Sequence, residues 1–103
     1  MANYVLAYAG GSIPETEADQ ARVMEAWNNW YGELGSAIVD GGAPFGQAKT
    51  IDGNGAVSEA GAERLTGYTV ISADSIDSAV THAKGCPIFD DGGMVSVYET
   101  VDM

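Results

Sequence analysis

The fold is decided by one stretch of the chain, residues 67–87, which has the sequence GYTVISADSIDSAVTHAKGCP. Its first part, residues 67–73, is rich in β-branched and aromatic types and predicts a β-strand. Asp74 and Ser75 are both candidates to cap a following helix. From Ile76 onward, apolar residues recur at i, i+3, i+4 and i+7. The stretch therefore predicts a strand followed by an amphipathic helix.

Three residues signal the end of this helix, the first of which is Lys84, a cation in its last turn. Gly85 is expected to take the left-handed conformation just beyond the helix, and Pro87 cannot continue it. After a further pair of glycines, residues 94–101 alternate between two apolar faces and predict a last strand. The C-terminal half is thus a strand–helix–strand unit.

The N-terminal half repeats the same order. Residues 3–9 predict a strand with apolar groups on both faces. The next segment predicts a helix capped by Thr16, or in the alternative by Ser12, and ending near Gly35. One third of its helical wheel carries the large apolar side chains Val23, Met24, Trp27, Trp30, Tyr31 and Leu34. Residues 37–40 predict a short second strand.

A glycine-rich excursion separates the two halves. Residues 41–67 contain seven glycines and the turn signals Asp-Gly and Asn-Gly, which predict a loop plus a hairpin. So long a connection is either a lid over a functional site or an arm that builds a dimer.

The whole chain, residues 1–103, is expected to form a single α+β domain with the ferredoxin-like order βαββαβ and a hairpin excursion. Two helices cover one face of the sheet, and the other face keeps bulky apolar groups. A patch of that kind normally marks an interface. We therefore expect a homodimer with two-fold symmetry, in which two sheets pack face to face.

Composition excludes several classes of partner. Four Lys and Arg against fifteen Asp and Glu give a net charge of −11 at pH 7, which disfavours nucleic acid and anionic membrane surfaces. No apolar stretch approaches the length of a membrane span. Cys86 is the only cysteine, which predicts a reduced, cytoplasmic setting.

Four segments of the chain have a familiar combination of residues: GYTVI at 67–71, ADSIDSA at 73–79, AKGCP at 83–87 and GGMVSV at 92–97. Together they resemble the YCII-related family. VDGGAPF at 39–45 is similar to the Asp-Gly-Pro-Phe motif of its relatives. The resemblance implies a dimeric α+β barrel and no single activity, since it extends to companions of sigma factors and to a dehydrochlorinase of a hydroxylated chloro-aromatic compound. It also implies a histidine in the first helix, which residues 17–34 lack.

Two side chains are candidates for proton transfer, and each has a structural alternative. Asp40 ends a strand just before glycines, where it could act as a base or could bond to its own backbone in a turn. His82 is the only histidine; it could move a proton near neutral pH or could simply favour the dipole at a helix C-terminus. Cys86 is better explained as a small packed residue than as a reactive thiol.

Aromatic residues are the candidates for ligand binding. Trp27, Trp30 and Tyr31 could stack on a flat ligand, with Phe45 and Tyr68 completing the wall, or could form core. No spacing typical of a metal site or a phosphate loop is present, so no cofactor is expected. The sequence favours a binding or accessory module, with a small aromatic or apolar metabolite as the expected ligand. The alternatives are a cofactor-free lyase, isomerase or dehydrochlorinase using Asp40 or His82, and a purely structural dimer that joins another protein.

Overall fold

The computed structural model describes residues 2–10, 15–59 and 65–101. Within these residues the chain is α+β, with a four-stranded sheet, a separate two-stranded sheet and two α-helices. The elements in chain order are β1 (Ala2–Ala9), α1 (Glu17–Leu34), β2 (Ile38–Pro44), β3 (Lys49–Ile51), β4 (Val57–Glu59), β5 (Leu65–Ala73), α2 (Ile76–Ala83) and β6 (Met94–Glu99). A 3₁₀ turn, Pro87–Asp91, precedes β6.

The main sheet has the strand order β2-β5-β1-β6, and all neighbours are antiparallel. Tyr4 lies opposite Ile71, Leu6 opposite Thr69 and Tyr8 opposite Gly67. Residues directly opposite one another share a face. This register therefore puts Tyr4, Leu6 and Tyr8 on one side of the sheet.

The hydrophobic core lies between that side of the sheet and both helices. α1 contributes Trp30 and Leu34, and α2 contributes Ala79 and Ala83. All four are buried and pack in one cluster with the side chains of β1 and β5. The described residues include no helix long and apolar enough to cross a membrane.

The opposite side of the sheet, which we call the open face, carries Val5, Ala7, Val70 and Tyr98. Val5 lies opposite Val70 on one side and Tyr98 on the other. Tyr98 is 60% exposed, and Met94 at the start of the same strand is 61% exposed. The prediction of a sheet with apolar groups on both faces is confirmed.

Both predicted helices are present with side-chain caps. Thr16 caps α1, as predicted, and accepts a hydrogen bond from the backbone N–H of Asp19 at 3.1 Å. Ser12, the alternative cap, lies outside the described residues. Ser75, rather than Asp74, caps α2 and accepts from the N–H of Ser78 at 3.1 Å. These bonds satisfy donors that a helix start leaves free.

The predicted role of Gly85 was wrong. Its φ is not positive, and the helix instead ends on Lys84 in a right-handed conformation. The position is instead tight, because a Cβ added here would lie 3.2 Å from Cδ1 of Trp30 and would require that ring to shift slightly. The absent side chain lets α1 approach the end of α2.

The predicted ends of the excursion were also wrong. β2 continues through Gly41 and Gly42 to Pro44, and β5 begins at Leu65 rather than Gly67. Pairing with β5 is maintained across two register shifts, and Gly42 absorbs the distortion with φ +74°. The glycines are therefore bulges within a strand rather than its end. The last strand stops at Glu99, two residues earlier than predicted.

The hairpin within the excursion is formed by β3 and β4, which among the described residues pair with one another and with no other strand. Asp52 orders its turn, because Oδ1 accepts from the N–H groups of Asn54 at 2.8 Å and Ala56 at 3.0 Å. Lys49 and Glu59 form an ion pair of 3.0 Å at the other end. The predicted hairpin is confirmed.

Candidate functional site

A cleft of about 590 Å³ opens between α1 and the β2–β5 side of the sheet. We call it the aromatic cleft. Its lining comprises Val23, Met24, Trp27 and Tyr31 from α1, residues 41–44 from β2, residues 66–68 from β5, Tyr8 from β1 and Ile88. Val23 and Met24 lie four and three positions before Trp27, and Tyr31 lies four after it, so one stripe of the helix faces the cleft.

Trp27 is the centre of the aromatic wall. Its ring packs edge-on against Tyr8, with 5.3 Å between centroids, and against Tyr31, at 6.0 Å. Edge-to-face contacts of this kind are favourable for aromatic pairs. The wall is therefore held in a defined shape by its own rings.

Hydroxyl groups meet at one end of this wall. Tyr8 donates a hydrogen bond to Oγ1 of Thr69 at 2.7 Å. Tyr31 donates to the carbonyl oxygen of Gly41 at 3.2 Å and lies 3.3 Å from Oγ1 of Thr69, which also donates to Gly41 at 3.3 Å. Burial raises the pKa of Tyr8 well above its ordinary value, so this phenol stays neutral throughout the physiological range.

Trp30 lies in the core rather than along the cleft. It is buried, and its Nε1–H donates to the carbonyl oxygen of His82 at 3.1 Å. Its ring stacks on Tyr31 with 5.5 Å between centroids. Trp30 thus links α1 to α2 and packs against the ring of Tyr31.

Phe45 and Tyr68 stack on one another, with centroids 5.7 Å apart. Tyr68 lines the cleft and Phe45 does not. Tyr68 also lies opposite Ala7 and Ala43, on the side of the sheet away from Tyr8. Of the five aromatic residues predicted to bind ligand, Trp27 and Tyr31 pack together in the cleft wall. Tyr68 borders the cleft, but its ring stacks on Phe45 rather than on the Trp27 wall.

Asp40 adopts the turn arrangement that was its structural alternative. Its Oδ1 accepts from the N–H of Gly42 at 2.8 Å, and Oδ2 accepts from the Tyr68 hydroxyl at 3.4 Å. The residue is exposed and does not line the cleft. Its carboxylate orders the bulge that shapes the cleft's β2 wall.

His82 lies away from both Asp40 and the aromatic cleft. It lines a second cavity of about 230 Å³, together with Leu34, Ser36, Ala37, Ser72, Ala73, Asp74 and Ser78. Asp40 lines neither cavity, so the two candidate proton-transfer residues share no site. No group of three or more potential metal ligands occurs within residues 2–10, 15–59 and 65–101.

Cys86 is buried, and its burial raises the pKa of the thiol to about 11. A thiol with that pKa is almost wholly protonated near neutral pH and is a poor nucleophile. This agrees with its interpretation as a packed core residue.

Sequence reasoning did not include Tyr8, Thr69 or the Gly41 carbonyl in the site. Tyr8 had a signal, since a tyrosine inside an apolar strand needs a partner for its hydroxyl. The identity of that partner depends on the β1–β5 register, which places Thr69 opposite Leu6, two residues before Tyr8 in β1. No protein-family model matches this chain, and no curated protein matches it.

Proposed function

We propose that this chain is a YCII-related protein that binds a small, flat or apolar molecule in the aromatic cleft. The observation that carries the proposal is the cleft itself, whose volume of about 590 Å³ falls within the usual range for small-molecule sites, roughly 300–1,000 Å³. Such sites combine apolar and aromatic walls with a few convergent polar groups. Trp27, Tyr8 and Tyr31 supply both the rings and the hydroxyls.

Native mass spectrometry tests this proposal directly. We expect wild-type protein, purified without denaturant, to carry extra mass that disappears on denaturation. Trp27→Ala removes the central ring of the wall and should lose that mass. Ile51→Ala, on the exposed hairpin, is the matched control and should keep it. Wild-type protein without added mass, or equal retention by Trp27→Ala, would contradict the proposal.

The enzyme alternative is less well supported by the geometry. A proton-transfer group must come within hydrogen-bond reach of the substrate, whereas Asp40 and His82 lie outside the aromatic cleft. A lyase, isomerase or dehydrochlorinase reaction would require Asp40→Asn or His82→Ala to abolish turnover while ligand binding persists. Binding alone predicts no turnover in any of these proteins.

We also propose that two copies pair through the open face as a dimeric α+β barrel in the cytoplasm. The strand order β2-β5-β1-β6 with both helices on one side supports the ferredoxin-like arrangement. Exposed Tyr98 and Met94 beside Val5 and Val70 supply an apolar surface for a second sheet. The unpaired Cys86 fits a reducing compartment.

Sedimentation velocity tests the assembly. Wild-type protein should sediment as a dimer, and Tyr98→Lys should shift it to monomer because an ammonium group would be buried without a partner. Asn29→Lys makes the same charge change on the exposed surface of α1 and should leave the dimer intact. A monomeric wild type, or a dimeric Tyr98→Lys variant, would refute the interface.

A further inference from the structure

The hydroxyl protons at the end of the aromatic cleft are all used within the wall. Tyr8 donates its only proton to Thr69. The protons of Thr69 and Tyr31 are directed to the Gly41 carbonyl or to one another. Each hydroxyl has a single proton. What these groups can still offer a ligand is therefore an oxygen lone pair, which is a hydrogen-bond acceptor.

Tyr31 is the accessible member of this network. Thr69 is 0% exposed and Tyr8 is 5% exposed, whereas Tyr31 is half-buried and lines the cleft. Redirecting the Tyr31 proton toward a ligand would remove a hydrogen bond from the Gly41 carbonyl. A ligand that brings its own donor leaves the network intact.

We propose that the aromatic cleft selects neutral, flat ligands that donate an O–H or N–H to the phenol oxygen of Tyr31. This inference rests on the proposed binding function and adds the chemical class of the ligand. A ligand donor at Tyr31 completes the network, while an acceptor at the same point faces another lone pair.

The charge of the ligand is limited by the same lining. None of the described residues that line the cleft carries an ionic side chain at neutral pH. A carboxylate placed there would be desolvated without a cationic partner, and the net charge of −11 opposes its approach. The described lining also offers neutral side-chain donors, the indole N–H of Trp27 and the hydroxyl of Thr66, and neutral donors do not compensate a full negative charge.

Three bicyclic probes distinguish these requirements by NMR titration of ¹⁵N-labelled protein. Indole is neutral and carries an N–H donor, benzofuran has the same shape with an oxygen in place of that N–H, and indole-3-carboxylate adds a negative charge. We expect the amides of residues 41–43 and 67–68 to shift, with the hairpin turn at residues 52–56 unmoved. Indole should bind about three- to tenfold more tightly than benzofuran, the factor for one hydrogen bond, and the carboxylate should bind more weakly than either.

A variant pair assigns the preference to Tyr31. Tyr31→Phe removes the phenol oxygen and should bring the ratio of indole to benzofuran affinity close to one. Tyr98→Phe makes the same change on the open face and should keep the wild-type ratio. The wild-type comparison of probes stands even if Tyr31→Phe fails to fold.

The outcomes separate the two proposals. If benzofuran shifts the cleft amides with the same affinity as indole, the donor requirement is refuted and binding in the cleft stands. Equal affinity for indole-3-carboxylate refutes the requirement for a neutral ligand. If no probe shifts the cleft amides, the binding function fails, and the inference fails with it.

Discussion

Thr69→Val should destabilise the fold even though it preserves the shape and the β-branching of the side chain. Thr69 is fully buried and accepts the Tyr8 proton at 2.7 Å. Without that acceptor, the buried Tyr8 hydroxyl loses its partner, which costs about 1–3 kcal/mol. Taking about 2 kcal/mol and a change of about 4–8 °C per kcal/mol for a domain of this size, we expect the melting temperature to fall by about 8–16 °C.

Urea unfolding followed by tryptophan fluorescence measures the effect. With an m value near 1.5–2 kcal/mol/M, the midpoint should fall by about 1 M while m stays constant. All proteins are compared at one concentration, because dimerisation makes apparent stability depend on concentration.

A double-mutant cycle separates the lost partner from other effects. Tyr8→Phe removes the hydroxyl that Thr69→Val leaves without an acceptor. The double variant should therefore be more stable, by about 1–2 kcal/mol in the free energy of unfolding, than the sum of the two single effects. Replacing both partners by apolar groups is nearly neutral when the shape is kept. A Thr69→Val loss below about 0.5 kcal/mol, or additive single effects, would refute the network as the cause.

Three further predictions concern the backbone, the buried thiol and a helix cap. Gly42→Ala should lower the free energy of unfolding by about 2 kcal/mol or more in a thermal melt, because φ is +74° and the new Cβ would overlap the Tyr68 carbonyl. Gly41→Ala is the control, since its Cβ meets nothing within 4 Å. Equal losses of stability in the two variants would contradict the reasoning. Burial raises the pKa of Cys86 from 9.0 to about 11, so the unfolded state releases its thiol proton first as pH rises. The contribution of the buried thiol to the free energy of unfolding is therefore complete below pH 9.0 and is lost as pH rises toward 11. Over that window the urea midpoint should fall less in Cys86→Ala than in the wild type. Ser75→Ala removes the α2 cap and should cost about 1 kcal/mol in urea unfolding, whereas an unchanged midpoint would show that the cap contributes nothing.

The parts of the fold that were predicted are those with local causes. Thr16 and Ser75 cap helices through atoms three residues away, so their roles are visible in short sequence windows. The extension of β2 has a non-local cause, because glycines at residues 41–42 favour a turn unless a neighbouring strand holds them. β5 supplies that pairing, and its register cannot be obtained from β2 alone.

The aromatic residues predicted for the site divide between the cleft and the core, and the cause is again non-local. Trp27 and Trp30 lie three residues apart on α1, about 60° apart around the helix. That angle is enough to put Trp27 along the cleft and Trp30 in the core. A hydrophobic arc predicts which side of the helix is apolar, but the boundary between cleft and core depends on where the sheet edge lies. Thr69 was missed because its contact with Tyr8 depends on strand pairing.

Gly67 marks a close approach of two strands where the sheet borders the aromatic cleft. Gly67 lies opposite Tyr8, and a Cβ added there would stand 3.5 Å from the Tyr8 ring and 3.1 Å from the Ala43 carbonyl oxygen. Glycine inside a strand costs about 0.5–1 kcal/mol relative to alanine. A larger side chain at Gly67 would press on the backbone of β2 and on the Tyr8 ring, which line the same cleft. Gly67 therefore lets β2 and Tyr8 approach closely and fixes the shape of the cleft wall at this point.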